Sequence, residues 1–152
     1  MSCFFDTNVL VYVFDRAEPR KQALAQALIA EHMQARAMVL STQVLQELYV
    51  TLTRKKQLSA ADALEVTTTF AQERVVAANA DTVLRALALG AARQLSAWDA
   101  LIVQAALDAG CSTLFSEDFQ TGARFDGLVV VDPFAMRAHE PVAPYRSRSA
   151  QR

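Results

Sequence analysis

Two cysteines, four prolines and four glycines are all that this 152-residue chain holds of the residues that staple, stiffen or break a backbone. Each scarcity excludes something. Cys3 and Cys111 lie far apart with no CxxC spacing, which excludes a disulfide framework and a thiolate metal site and fits a reducing compartment with both thiols buried. So little proline and glycine in a chain that is 53% hydrophobic excludes general disorder and leaves enough apolar material for one packed core. Surplus positive charge is missing as well. Fifteen Lys and Arg stand against sixteen Asp and Glu, a formal −1, so nucleic acid cannot be held by bulk charge and any contact with it must be local. No stretch approaches the ~20 apolar residues of a membrane span. Met1 leads almost directly into a short apolar run, and the expectation is a cytoplasmic protein, neither exported nor membrane-bound.

What is present is a succession of short apolar runs separated by helical periodicity. Cys3-Phe4-Phe5 reads as a strand and is followed by a helical stretch with Val9, Leu10, Val13 and Phe14. A second helix runs from Pro19 to about Ala35, and a second strand covers Ala37 to Leu40. Ser41 or Thr42 caps a helix with Val44, Leu45, Leu48 and Leu52 on one arc, which finishes in Arg54-Lys55-Lys56, where positive charge suits the helix dipole. Ser59 opens another helix, and a short Val75-Val76 strand follows it. Two more helices are expected, from about Asp81 to Gln94 and from Ser96 to Ala109. Strands at Thr113 to Phe115 and Leu128 to Val131 close the series. Runs of this kind, without strict alternation, point to a mostly parallel sheet covered on both faces. Residues 1–136 form the expected single domain. The remainder, 137–152, carries Arg137, Arg146, Arg148 and Arg152 against Glu140, a formal +3 that leaves −4 on the rest, and reads as a flexible basic tail.

Ligands of such sheets bind beyond the carboxyl ends of the strands, so acids just after strands come first. Asp6 and Asp118 satisfy this directly. Asp99 follows Ser96 by three, and at about 100° per residue it falls among Ile102, Val103 and Ala106, inside the apolar sector. Glu47 lies about 60° from Val44, at the edge of its helix's apolar arc. Four carboxylates on one rim repel one another, which makes physical sense chiefly around a hard divalent cation. Each also has a plainer reading. Asp6 can be only an N-cap, Ser96 to Asp99 only a capping box like Ser59 to Asp62, and Glu47 only a solvated helix residue. Asp118 can cap a turn or yield its place to Glu117.

Taken together, four segments in order resemble the PIN-domain nucleases. They are Phe4-Phe5-Asp6-Thr7-Asn8-Val9-Leu10, Gln43-Val44-Leu45-Gln46-Glu47-Leu48, Ser96-Ala97-Trp98-Asp99-Ala100-Leu101-Ile102 and Leu114-Phe115-Ser116-Glu117-Asp118-Phe119, with Leu128 to Phe134 similar to the family's last strand. The resemblance covers about Ser2 to Phe134. It implies a three-layer α/β/α sandwich with a central, mostly parallel sheet, and metal-dependent hydrolysis of single-stranded or looped RNA. A stand-alone domain of this size is similar to the VapC toxins of prokaryotic toxin–antitoxin pairs. By that likeness Asp6, Glu47, Asp99 and Asp118 are the catalytic residues and hold one or two Mg2+ ions, with Mn2+ as an alternative. Thr7, Asn8 and Ser116 orient those carboxylates. The implied partners are an RNA substrate, a cognate antitoxin and a second copy of the chain in a homodimer.

Arg54, Lys55, Lys56 and Arg93 are candidates for RNA contact, although the first three also simply complete a helix C-terminus. Trp98, by its helical phase, is expected in the core or at a dimer contact rather than stacked on a base, and His32 and His139 at the surface. Competing resemblances fail at their informative positions. A haloacid-dehalogenase-type phosphatase wants an acid where Asn8 stands, a receiver domain wants a late lysine where none follows Lys56, and no GxGxxG follows the first strand for a dinucleotide. The alternative from another class is a non-catalytic PIN-like module that binds RNA or protein. The presence of all four acids argues against it.

Overall fold

The computed structural model describes residues 1–135; the basic segment 137–152 and His139 lie outside the described residues. The elements run β1 (Cys3–Phe5), α1 (Thr7–Tyr12), α2 (Pro19–Gln34), β2 (Met38–Ser41), α3 (Thr42–Arg54), α4 (Ala60–Phe70), β3 (Arg74–Val76), α5 (Ala80–Arg93), α6 (Ala97–Asp108), β4 (Thr113–Phe115), β5 (Arg124–Phe125) and β6 (Leu128–Val131). Together they make a three-layer α/β/α sandwich around a six-stranded sheet ordered β3-β2-β1-β4-β6-β5. All pairings are parallel except β5 with β6.

Local chemistry sets the boundaries. Pro19 at the first position of α2 costs no helical hydrogen bond, because that N–H would be an orphan anyway. The Ser41 hydroxyl accepts the Val44 N–H, which decides between Ser41 and Thr42 as the cap of α3. Every residue of β1 and β2 is buried, as expected of strands covered on both faces, whereas edge strand β3 is only partly covered.

β5 is an addition to the elements expected from the sequence. Its two residues pair antiparallel with β6, Phe125 opposite Leu128, across the turn Asp126-Gly127, with Asp126 at φ 53°. An Asp-Gly dipeptide before an apolar run is the signal that marks such a hairpin. His32 corrects the surface expectation. Its ring is buried 5.2 Å from Phe5 and 5.3 Å from Phe115, and Nδ1 lies 2.8 Å from the Leu28 carbonyl one helical turn back. A polar ring is tolerated there because a backbone group satisfies it. Both cysteines are buried and free, and burial pushes the Cys111 thiol up to about 11. No helix among the described residues is long and apolar enough to cross a membrane.

Candidate active site

β1 sits between β2 and β4. The chain leaves β1 toward β2 on one side, and leaves β4 toward β6 on the other. The carboxyl ends of β1 and β4 therefore form the topological switch point, where open parallel sheets have their crevice. Asp6 ends β1 and Ser116 to Asp118 follow β4, stitched together by the Asp6 N–H donating to the Phe115 carbonyl at 2.9 Å.

The two oxygens of Asp6 divide the work. Oδ1 accepts the Thr7 N–H at 2.8 Å and so caps α1. Oδ2 accepts the Ser116 hydroxyl at 2.8 Å and the Asn8 amide at 3.4 Å. The N-cap reading thus holds through Oδ1, while Oδ2 takes the contacts that join the end of β1 to the loop after β4. Burial pushes the Asp6 carboxyl up to about 6; Asp118 and Glu47 add to the rise, and the donors from Ser116 and Thr7 oppose it.

The neighbouring acids are held by the residues that follow Asp6 in sequence. The Thr7 hydroxyl donates to Glu47 Oε1 at 2.7 Å, tying α1 to the middle of α3, and Gln43 Nε2 reaches Glu47 Oε2 at 3.4 Å. The Asn8 amide donates to Asp118 Oδ2 at 3.0 Å as well as to Ser116 Oγ at 3.3 Å. Ser116 Oγ in turn accepts the Asp118 N–H at 3.1 Å. Thr7, Asn8 and Ser116 therefore sit where residues that orient the carboxylates are needed.

Asp99 stands in the first turn of α6, above buried Ile102, Val103 and Ala106. Its backbone N–H donates to Ser96 Oγ at 3.1 Å, yet the return half of a capping box is not made. That reciprocal arrangement occurs at Asn79 and Thr82 instead. Among the described residues the Asp99 carboxylate accepts no hydrogen bond, so it faces the groove uncommitted.

Glu117 has a different employment from Asp118. It accepts from the Tyr12 hydroxyl and pairs with Lys21 at 2.9 Å, and the Lys21 ammonium also lies 4.8 Å from the centre of the Tyr12 ring. The Glu117 contact holds the Lys21 ammonium above its usual range. The sequence reading missed this Lys21–Tyr12–Glu117 cluster, because nothing local pairs residues so far apart.

All four predicted acids line one groove of about 650 Å³, together with Thr7, Asn8, Tyr12, Gln43, Val50, Lys55, Lys56 and Trp98. The groove is open rather than closed. Among the described residues no three His, Cys, Asp or Glu side chains cluster tightly enough to hold a metal ion as they are placed. The reason is visible in the bonding: the Asn8 amide stands between Asp6 and Asp118, and the Thr7 hydroxyl anchors Glu47. These donors offset the mutual repulsion of the carboxylates that a cation would otherwise have to offset. The donor set itself, all carboxylate oxygen with no thiolate or imidazole, is the chemistry that suits Mg2+ or Mn2+.

Three sequence expectations change. Of the two places expected for Trp98, the core is excluded: it is 68% exposed and lines the groove, because α6 turns its next residue, Asp99, inward. Arg93 is engaged elsewhere, donating to the Arg124 carbonyl at 3.0 Å and stacked 4.4 Å from the Phe125 ring. Arg54 does not line the groove, whereas Lys55 and Lys56 do.

Fold and site together define a parallel α/β/α protein with an acid-lined groove at the carboxyl edge of its sheet. The family follows from the sequence as a whole. The PIN domain model matches residues 3–124, and the chain belongs to that family. Among curated proteins none matches it. Solved structures with the same fold include a VapC toxin of Mycobacterium tuberculosis described as cleaving the sarcin–ricin loop, at TM-score 0.63 and 24% identity, covering 77% of this chain and 92% of that one. A chain of a toxin–antitoxin complex from Klebsiella pneumoniae also has TM-score 0.63, at 22% identity over 89% of this chain and 100% of its own. A DNA-bound VapBC from Salmonella typhimurium follows at TM-score 0.61 and 17% identity, covering 88% of this chain and 98% of that one.

Proposed function

We propose that the protein is a metal-dependent endoribonuclease acting as the toxin of a VapBC-type pair. The observation that carries the proposal is the convergence of Asp6, Glu47, Asp99 and Asp118 on one groove at the switch point of the sheet. Family membership supports nuclease chemistry, and neighbours of the same fold solved in toxin–antitoxin assemblies support a protein antitoxin as partner. The sarcin–ricin-loop-cleaving neighbour supports RNA as substrate. A homodimer and a cytoplasmic location belong to the same reading.

Asp6, Glu47, Asp99 and Asp118 would hold Mg2+ or Mn2+, which when bound supplies positive charge against the phosphate and acidifies water. The chain's own residues do the rest. Asp6 is pinned through both oxygens, so it offers a fixed anion whose ionised form a nearby positive charge favours. Glu47 is anchored by Thr7 through Oε1 and keeps Oε2 toward Gln43 and the groove, where it can take a proton from an attacking water. Asn8 fixes Asp118, and Asp99 turns an uncommitted carboxylate to the same space. Water gives up a proton to Glu47 as it adds to phosphorus, the bridging P–O bond breaks, the leaving oxygen takes a proton from solvent, and no covalent enzyme intermediate is required.

The test is cleavage of total RNA and tRNA by purified protein with Mg2+, with Mn2+ and with EDTA, beside Asp6→Asn and Asp99→Asn. Cleavage is expected only with metal. Each variant should lose about a hundred-fold or more, since even residues that merely support metal ligands cost 10–100-fold when replaced. Metal-independent cleavage, or cleavage unaltered in both variants, overturns the proposal. RNA left intact in every condition by a protein that still binds a partner tightly points to a non-catalytic module.

A further inference from the structure

The groove carries Trp98 beside Asp99 at the start of α6 and two lysines, one paired with Asp15, at the C-terminal end of α3, with Glu47 midway along α3. Trp98, the only tryptophan of the chain, is 68% exposed and lines the groove beside Asp99. Its backbone is tied to α3, since Gln43 Nε2 donates to the Trp98 carbonyl at 3.2 Å as well as reaching Glu47. From Gln43 the groove wall follows one face of α3 through Gln46, Glu47, Val50 and Thr51 to Lys55, spaced by threes and fours. At 1.5 Å per residue that wall is about 18 Å long, room for a strand of several nucleotides. The two lysines at its far end differ. Lys56 is paired with Asp15 at 2.8 Å, while Lys55 is exposed and has no ion pair among the described residues. Other exposed leucines, Leu64 on α4 and the neighbouring Leu84 and Leu87 on α5, lie outside the groove.

We propose that a single RNA strand lies along α3, with one unpaired base stacked on Trp98 and a phosphate at Lys55, so that the phosphodiester between them is presented to the acids. This rests on the nuclease reading, whose single-stranded substrate it takes over, and extends it to the path of that strand and the residues that hold it. An indole face accepts any base but only one that is out of a duplex, and Lys55 supplies the positive charge that the acidic rim denies to a phosphate backbone. Trp98 is then a specificity-determining residue for unpaired RNA.

Because Trp98 is the sole tryptophan, its emission reports on the site without labelling. Asp6→Asn protein is titrated with a short single-stranded RNA and with the same sequence as a duplex, following both tryptophan emission and the anisotropy of labelled RNA. The single strand is expected to quench the emission and the duplex to leave it unchanged. In the same background Trp98→Ala should bind the strand about ten-fold more weakly, and Trp98→Phe should recover most of the loss. Lys55→Ala should weaken binding and make it less sensitive to salt. RNA that binds without moving the emission, or unchanged affinity in Trp98→Ala, overturns the path. If Trp98→Ala changes the oligomeric mass by light scattering and not the affinity, Trp98 is instead a contact between copies. Wild-type cleavage with unmoved emission defeats the strand path alone, whereas absence of both cleavage and binding defeats the nuclease reading with it.

Discussion

The two oxygens of Asp6 meet different demands, and their surroundings predict how the protein answers to pH. Burial raises this carboxyl from its ordinary 3.8 to about 6, so without metal the fold favours the protonated form. A folded-state value above the unfolded one means stability that is fully present below about pH 4 and is lost as pH rises through about 6. The loss is on the order of 3 kcal/mol. Urea unfolding in EDTA should therefore show wild type losing stability between pH 4 and 7 relative to Asp6→Asn, which has no carboxyl to ionise. Added Mg2+ should shrink that difference near pH 7 by stabilising the ionised form. Parallel pH profiles for the two proteins would show that Asp6 is not held in this way. Of the groups that hold Asp6, the Thr7 N–H and the Asn8 amide lie next to it in sequence, whereas Ser116 arrives from 110 residues away and was expected only through the family resemblance. The engagement of Glu117 by Lys21 and Tyr12 was not legible, since it joins residues 96 and 105 apart.

At the scale of elements, Asp99 depends on how closely α5 approaches α6. The turn through Gln94, in a left-handed conformation at φ 58°, brings the two helices back to back. Gly90 is where they touch. A Cβ there would stand 3.1 Å from both Ala100 Cβ and the Leu95 carbonyl oxygen, and neither backbone nor Ala100 can swing aside. Gly90→Val should cost about 1–3 kcal/mol in urea unfolding and lower RNA cleavage further by displacing the start of α6. Stability and activity both equal to wild type would mean that α6 is free to slide. Helical periodicity placed α5 and α6 to within a residue or so, yet it contained nothing about this contact. The same limit explains Trp98: counting residues around α6 located an apolar arc, but which part of that arc the neighbouring helix covers is settled by packing.

For the molecule as a whole, a formal charge of −1 and an acid-lined groove leave little general attraction for a polyanion. With Lys55 a groove cation that has no ion pair among the described residues, the affinity of the Asp6→Asn variant for single-stranded RNA should fall only gently with salt. About one or two phosphates' worth is expected, each contributing roughly 0.7 to the log–log slope. A slope several times steeper would assign binding to the arginines of 137–152 or to another basic surface. Apart from β5, the order of elements, the mostly parallel character of the sheet and the placing of Asp6 and Asp118 after strands were readable in advance. Apolar runs, helical period and capping residues act over a few neighbours, and a strand-end acid needs no knowledge of the rest of the chain. Tertiary structure alone decided which strands flank β1, that His32 lies between Phe5 and Phe115, and that Arg93 is spent on β5. It also decided that Glu47 and Asp99 line one open groove with Asp6, Glu47 anchored by the Thr7 hydroxyl and Asp99 with no hydrogen bond to its carboxylate among the described residues. Those outcomes depend on how separate elements pack and on which donor reaches which carboxylate first, and no local pattern encodes either.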